Sequence, residues 1–195
     1  MSDITGSATA TAEAAAPVTA AGTWVIDPSH ASVEFAVTHM MMSKVRGRFS
    51  EISGTVVTDG TPEGSKVDAE IGTASIDTRE GARDTHLRSA DFLDVEKYPS
   101  IRFVSTAIKS KGEDEFRITG DLTIRGVTRP VDIDVTREGM GRDPWGNERA
   151  GFSGTGRIDR RDFGLTWNQI LEAGGVMVGN EIKLSLDVEL TRKAD

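Results

Sequence analysis

The chain has 195 residues, and 23 Lys and Arg against 31 Asp and Glu leave a net charge of −8 at pH 7. Its basic residues are scattered, whereas phosphate binding needs them clustered, which excludes a nucleic-acid partner. It has no cysteine, which excludes disulfides, zinc–thiolate sites and thiol nucleophiles.

Residues 1–22 are rich in Ala and Thr and hold neither Lys nor Arg nor an unbroken aliphatic run. A secretory signal needs a basic segment ahead of an apolar one. The segment therefore reads as a disordered tail on a cytoplasmic protein, with residues 23–195 as one domain. No apolar run approaches membrane-spanning length.

From Thr23 the text becomes strand-like. Val33, Phe35 and Val37 alternate with Ser32, Glu34 and Ala36, the period of a half-buried strand, after a kink near Pro28. Met40, Met41 and Met42 cannot all face one way, so at least one is exposed or at a cavity mouth, or they are filler at a strand end or a dimer contact. Val45, Gly47 and Phe49 keep one phase and Ile52, Gly54 and Val56 the opposite one, as a bulge would produce. A third strand carries Val67, Ala69 and Ile71.

Residues 84–105, DTHLRSADFLDVEKYPSIRFVS, interrupt this pattern. Leu87, Phe92 and Leu93 are the apolar anchors of a helical insert near 78–97, which Pro99 must end because it lacks an N–H and pushes Tyr98 out of the α region. The insert is either a plug completing the core or a lid over a ligand's entrance.

Strand four follows with Ile101, Phe103 and Ser105, then strand five with Phe116, Ile118, Gly120, Leu122 and Ile124, and strand six with Val131, Ile133 and Val135. Residues 139–147 hold every turn-forming residue type and read as a loop. Strand seven carries Ala150, Phe152, Gly154, Gly156 and Ile158. A second short helical insert occupies the region near 160–175, and residues 181–191 close the chain with Ile182, Leu184, Leu186, Val188 and Leu190 in register. Eight strands with one polar face each predict an all-β fold, an eight-stranded antiparallel barrel or a strongly bent sandwich.

The interior of such a barrel is filled by side chains or holds one small ligand. Gly47, Gly54, Ala69, Ser105, Gly120, Gly154 and Gly156 share the inward phase, where they either leave space or serve bends and bulges. Phe35, Phe49, Phe103 and Phe152 are accordingly cavity wall or ordinary core.

His30, His39 and His86 lack a metal-ligand spacing, so no metal site is assigned. There is no Gly-x-Ser-x-Gly elbow, and Asp91 and Asp94 suit a helix cap as well as acid–base work. No catalytic residue is assigned, and the chain reads as a non-enzyme. Arg125, Arg129, Arg160 and Arg161 read as solvated charge paired with Asp121, Asp159 or Asp162, or as forks for head-group oxygens near one mouth. Arg46, beside the phase change, and Asn168, beside Trp167, are the polar residues assigned to the cavity.

Five motifs carry a resemblance: PSHASVEF at 28–35, KVRGRF at 44–49, DFLDVEKYP at 91–99, GDLTIRGVTRPV at 120–131 and DFGL at 162–165. In this order the chain resembles the YceI-like family. The resemblance implies a lipocalin-like barrel, usually a homodimer, whose interior binds a long isoprenoid or similar amphiphile for sequestration or transport. An isoprenoid quinone or a polyprenyl phosphate is the implied kind of ligand, with no other cofactor. Many family members are periplasmic, and this chain departs from them in lacking a signal sequence. The residues expected to contact the ligand are Phe35, Val37, Arg46, Phe49, Ile71, Phe92, Leu93, Phe103, Leu122, Phe152, Trp167 and Asn168. Burying one CH₂ contributes ~0.8 kcal/mol and a head-group hydrogen bond about 1 kcal/mol net, so a prenyl tail would dominate affinity. The alternative is a stress-response or structural dimer module with a filled barrel.

Overall fold

A computed structural model describes residues 19–172 and 174–193. Residues 1–18, most of the expected tail, lie outside the described residues. The strands are β1 (Gly22–His39), β2 (Ser43–Phe49), β3 (Ile52–Thr58), β4 (Lys66–Gly72), β5 (Ile76–Asp77), β6 (Ser100–Ser110), β7 (Glu115–Ile124), β8 (Val127–Arg142), β9 (Glu148–Asp159) and β10 (Val178–Arg192), with one α-helix, α1 (Gly81–Arg88). Among the described residues no helix is long and apolar enough to cross a membrane.

The strands run in the order β10-β9-β8-β7-β6-β4-β3-β1, and β1 pairs back onto β10, which closes an antiparallel barrel. Two further strands do not widen the ring. The first end of β1 pairs with β3, from Gly22↔Thr58 to Val25↔Thr55, and its second half pairs with β2, from Val33↔Phe49 to His39↔Ser43, so β2 and β3 share one of eight positions. β5 adds only Arg48↔Asp77 and Phe49↔Ile76 at the edge of β2.

The predicted phase change is the break between β2 and β3. Ser75 Oγ accepts the N–H groups of both Ser50 and Glu51 at 3.1 Å and donates to the Gly72 carbonyl at 2.7 Å. Backbone donors released from the ladder thus find a partner, and Phe49 and Ile52 both stay buried on either side of the break. The kink near Pro28 is a register shift between Ile26 and Ala31 against β10.

The 139–147 loop is shorter than its composition suggests. β8 continues to Arg142, paired Gly139↔Gly151 through Arg142↔Glu148 after a bulge beyond Arg137. Asp143 makes the actual turn, accepting the N–H of Trp145 at 3.0 Å and of Asn147 at 2.9 Å. A ladder partner outweighs local turn preference, and the local sequence does not show that partner.

The helical parts of both inserts are also short. Glu80 caps α1 by accepting the N–H groups of Ala82 and Arg83. Beyond Arg88 the chain runs in turns, with the N–H of Phe92 on Ser89 and that of Leu93 on Leu87, both 3.0 Å. The second insert begins with a 3-10 turn, Arg160–Phe163, ended by Gly164 at φ 74. Among the described residues, the isolated bridge Ile170↔Val176 follows before β10.

Inside the barrel the core divides between its ends. One end is packed by Trp24, Ile26, Ile52, Val56, Ala150 and Leu190, with Trp24 0 % exposed. The other end, beneath α1, holds Phe49, Ile76, Leu93, Ile101, Leu122, Ile124 and Phe163.

The inward glycines do not open space for a ligand. A Cβ on Gly47 would lie 2.4 Å from Phe35 Cζ, one on Gly120 2.4 Å from Phe103 Cζ, and one on Gly156 2.6 Å from Ile133 Cδ1. Large neighbours on adjoining strands already lie over these positions, as aromatic side chains cover glycines in other sheets. Gly154 is covered in the same way by Leu186, whose Cδ1 would stand 2.8 Å from an added Cβ.

Candidate ligand cavity

The end beneath α1 is hollow. An apolar cavity of about 160 Å³ lies between β1, β7, β9, β10 and the first insert. A larger groove of about 740 Å³ runs outside β8, β9 and β10, but Asp132, Asp134, Arg157 and Lys183 line it. Water already satisfies such a surface, so the apolar interior is the better ligand site.

The first insert roofs the cavity with Leu87, Phe92 and Leu93. Its foundations are polar bonds. Thr78 donates its N–H and hydroxyl to buried Asp84, Arg83 Nη2 donates to the Thr78 carbonyl at 2.9 Å, and Arg88 donates to the carbonyls of Ala74 at 2.9 Å and Ile76 at 2.6 Å. On top, His86 meets Asp91 at 2.9 Å, and the rings of His86 and Phe92 stand 4.7 and 5.2 Å from that of Trp167. The two inserts therefore touch through an aromatic seam over the cavity.

Arg160 is the charged residue in the cavity wall, and it is only 3 % exposed. Its guanidinium donates to the carbonyls of Gly179 at 2.9 Å, Trp167 at 2.9 Å and Val178 at 3.3 Å, and also to that of Leu165. The nearby Asp159 carboxylate is held instead by Arg161, with Nη2 2.6 Å away, which brings the Asp159 pKa down to about 2. Burial pulls the Arg160 pKa down, and the charge of Asp159 opposes that shift. The reading of Arg160 as solvated charge is thus corrected. The signal for burial was parity, since the inward phase of Phe152, Gly154, Gly156 and Ile158 reaches position 160 next.

A YceI-like domain model matches residues 24–190. This chain belongs to the YceI-like family. A UPF0312 protein of Pseudomonas savastanoi pv. phaseolicola is 48 % identical over 148 residues, covering 74 % of this chain and 77 % of that protein. Among solved structures, the Campylobacter jejuni YCEI protein is 31 % identical with a TM-score of 0.70, covering 80 % of this chain and 90 % of that one. A polyisoprenoid binding domain from Saccharophagus degradans shares the fold at TM-score 0.68 with 14 % identity, over 87 % of this chain and 98 % of that one.

Within this YceI-like barrel, Phe35, Val37, Phe49, Ile71, Phe92, Leu93 and Leu122 line the cavity. The remaining residues singled out for ligand contact lie elsewhere. Arg46 is exposed, because the phase that puts Val45, Gly47 and Phe49 inside turns it outward. Phe103 lies over Gly120 within the barrel wall. Phe152 packs toward the opposite end, against the Trp24 cluster. Trp167 covers Phe92 from outside, and Asn168 pins the second insert to β10, with Nδ2 donating to the Val178 carbonyl at 2.7 Å and Oδ1 accepting the Val178 N–H at 3.0 Å. Ile76, Ile124, Leu165, Val178 and Ile182 are wall residues that sequence reasoning did not select.

The histidines stay apart. His86 sits in the aromatic seam between the two inserts, while His30, at the other end, lies 3.0 Å from Asp27. Asp27, His30 and Glu189 bring ligand atoms within 4.8 Å of one another. Arg149 stands among them, donating to Asp27 at 2.7 Å, to Asp143 at 2.9 Å and to Glu189. The guanidinium supplies the positive charge that a cation would bring.

Proposed function

We propose that this barrel takes the hydrocarbon part of an isoprenoid or similar amphiphile beneath its lid, for sequestration or transport, without catalysis. The observation that carries the reading is an apolar cavity walled by Val37, Phe49, Ile71, Leu122 and Ile182, with Leu87, Phe92 and Leu93 of the first insert over it. The description of the Saccharophagus degradans domain as polyisoprenoid binding supports it through the shared fold. The Arg160 guanidinium is engaged by four backbone carbonyls, so the cavity is suited to the tail of an isoprenoid quinone or polyprenyl phosphate and not to its head group.

Size adds a condition. A dry apolar cavity of about 150 Å³ takes up a benzene-sized molecule, and this one measures about 160 Å³. With the lid as it stands, a single prenyl unit is the scale that fits. A longer chain must displace Phe92 and Leu93 outward.

Organic extraction of the purified full chain, followed by mass spectrometry, tests the proposal. An isoprenoid recovered in near-stoichiometric amount is the expected result, and recovery of nothing apolar, with no uptake of an added isoprenoid quinone, would sink it. The small cavity and the covered glycines favour a second reading, a filled-barrel dimer module. Under that reading stripped protein takes up no quinone and sediments as a dimer.

A further inference from the structure

At the cavity end two loops expose apolar side chains to water. Met41 is 72 % exposed, Met42 79 % and Ile170 84 %. The turn between β1 and β2 and the loop before β10 are tied together, the Met40 N–H donating to Met177 and the Met177 N–H to Gln169. They leave the barrel directly from wall residues of the cavity, Val37 on β1 and Val178 on β10. The exposed apolar side chains therefore stand at the cavity end of the barrel, a few residues along the chain from its wall.

The backbone of this turn adds an independent observation. Met40 has φ 50 and Met41 φ 59, the left-handed region that Gly and Asn enter readily and other side chains rarely do. A glycine or asparagine there would make the turn with less strain. Strained positions that carry exposed apolar side chains point to a use for the side chains themselves.

Charge points to the partner. Lys44 and Arg46 of β2 and Lys183 of β10 are exposed on the outer face beside this turn, with Ala36 opposite both Arg46 and Lys183. Of the acids on the same face, Glu181 is paired with Arg157 at 3.6 Å and Glu34 lies opposite Arg48, while Glu172 is exposed in the loop with Ile170. In a chain of net charge −8 this is a local cationic face beside an apolar tip. That combination fits an anionic bilayer, with apolar groups immersed and long basic side chains over the head groups.

We propose that this end docks on an anionic phospholipid bilayer, with Met41, Met42 and Ile170 entering the interface and Lys44, Arg46 and Lys183 over the head groups. Cargo would then enter without crossing water, where every exposed CH₂ opposes transfer. That loading step rests on the cavity reading above, whereas docking does not.

The test is co-flotation of the full chain with vesicles of phosphatidylcholine and phosphatidylglycerol, without cargo. The wild type floats with them at low salt and less at high salt or with phosphatidylcholine alone. Met41→Asn with Met42→Ser and Ile170→Ser, and separately Lys44→Glu with Arg46→Glu, each lower the bound fraction roughly ten-fold. The urea midpoint monitors folding, and Met41→Asn alone leaves it unchanged or raised. Wild type that does not float, or variants that float equally, overturn the proposal. So does an apolar variant that turns a dimer into a monomer without changing flotation, since a second copy would then be the occupant. Vesicles carrying an isoprenoid quinone separate the two readings: docking without uptake defeats the cavity proposal alone, and uptake from detergent without docking defeats this one alone.

Discussion

Replacing Arg160 with Met keeps a side chain of similar girth and removes the guanidinium. Four hydrogen bonds are lost, to the carbonyls of Leu165 and Trp167 in the second insert and of Val178 and Gly179 at the start of β10, although the Val178 carbonyl keeps Asn168 Nδ2 as a donor. A hydrogen bond to a charged group contributes about 1.5–3 kcal/mol, so four give a gross loss near 6–12 kcal/mol. Two terms reduce it. The desolvation cost of the buried cation disappears, and water reaches the freed carbonyls as the insert loosens. A net loss of about 3–5 kcal/mol remains, a large share of a domain's usual 5–15 kcal/mol. Urea unfolding followed by tryptophan fluorescence measures it, and hydrogen exchange should quicken first along residues 164–179. Arg160→Lys keeps the charge but not the fork, and should fall between the two. A loss below about 1 kcal/mol in Arg160→Met would refute the view that this residue clamps the second insert to the barrel.

Gly47→Ala drives a methyl into the ring of Phe35, with a 2.4 Å approach to Cζ, and should cost about 1–3 kcal/mol. Adding Phe35→Leu should recover at least about 1 kcal/mol of that in a double-mutant cycle, whereas zero coupling would mean that the ring does not cover the glycine. Phe92→Ala removes one of the two ring contacts, beside that of His86, between the first insert and Trp167, so a bound apolar probe should exchange roughly ten-fold faster in stopped-flow measurements if the insert is a lid. Unchanged exchange with lower stability would identify a plug. The Asn147 side chain, with the Arg149 guanidinium assisting, lowers the Asp143 pKa from 3.8 to about 2, and the Ser29 hydroxyl and Arg149 hold Asp27 still lower. Carboxyls depressed by folding stabilise the protein above their unfolded pKa and lose that contribution as pH falls through the folded one. Stability should therefore drop between pH 4 and 2, and Asp143→Asn should flatten that slope in urea titrations. A slope unchanged by the substitution would contradict the assignment.

Alternation along each strand is a local property, because successive side chains point to opposite faces whatever lies beyond them. That is why the inward sets of β4, β7 and β10, the change of phase between Phe49 and Ile52, and the apolar anchors Leu87, Phe92 and Leu93 were all legible in the sequence. Depth along the barrel and the identity of cross-strand neighbours depend on register and closure. Phe103 and Phe152 share the inward phase with Phe35, yet one lies over a glycine in the wall and the other packs toward the far end. Whether Gly47 and Gly120 left space or served bends and bulges was open until the pairing of β1 with β2 and of β6 with β7 brought phenylalanine rings over them. Residues 139–142 continued as strand because β9 supplied partners that their own composition does not reveal. Arg160 is the sharpest case. Parity alone put it inside, but whether an inward arginine is tolerable depends on four carbonyls from segments up to 19 residues away, which only the closed barrel and its second insert bring within reach of one guanidinium.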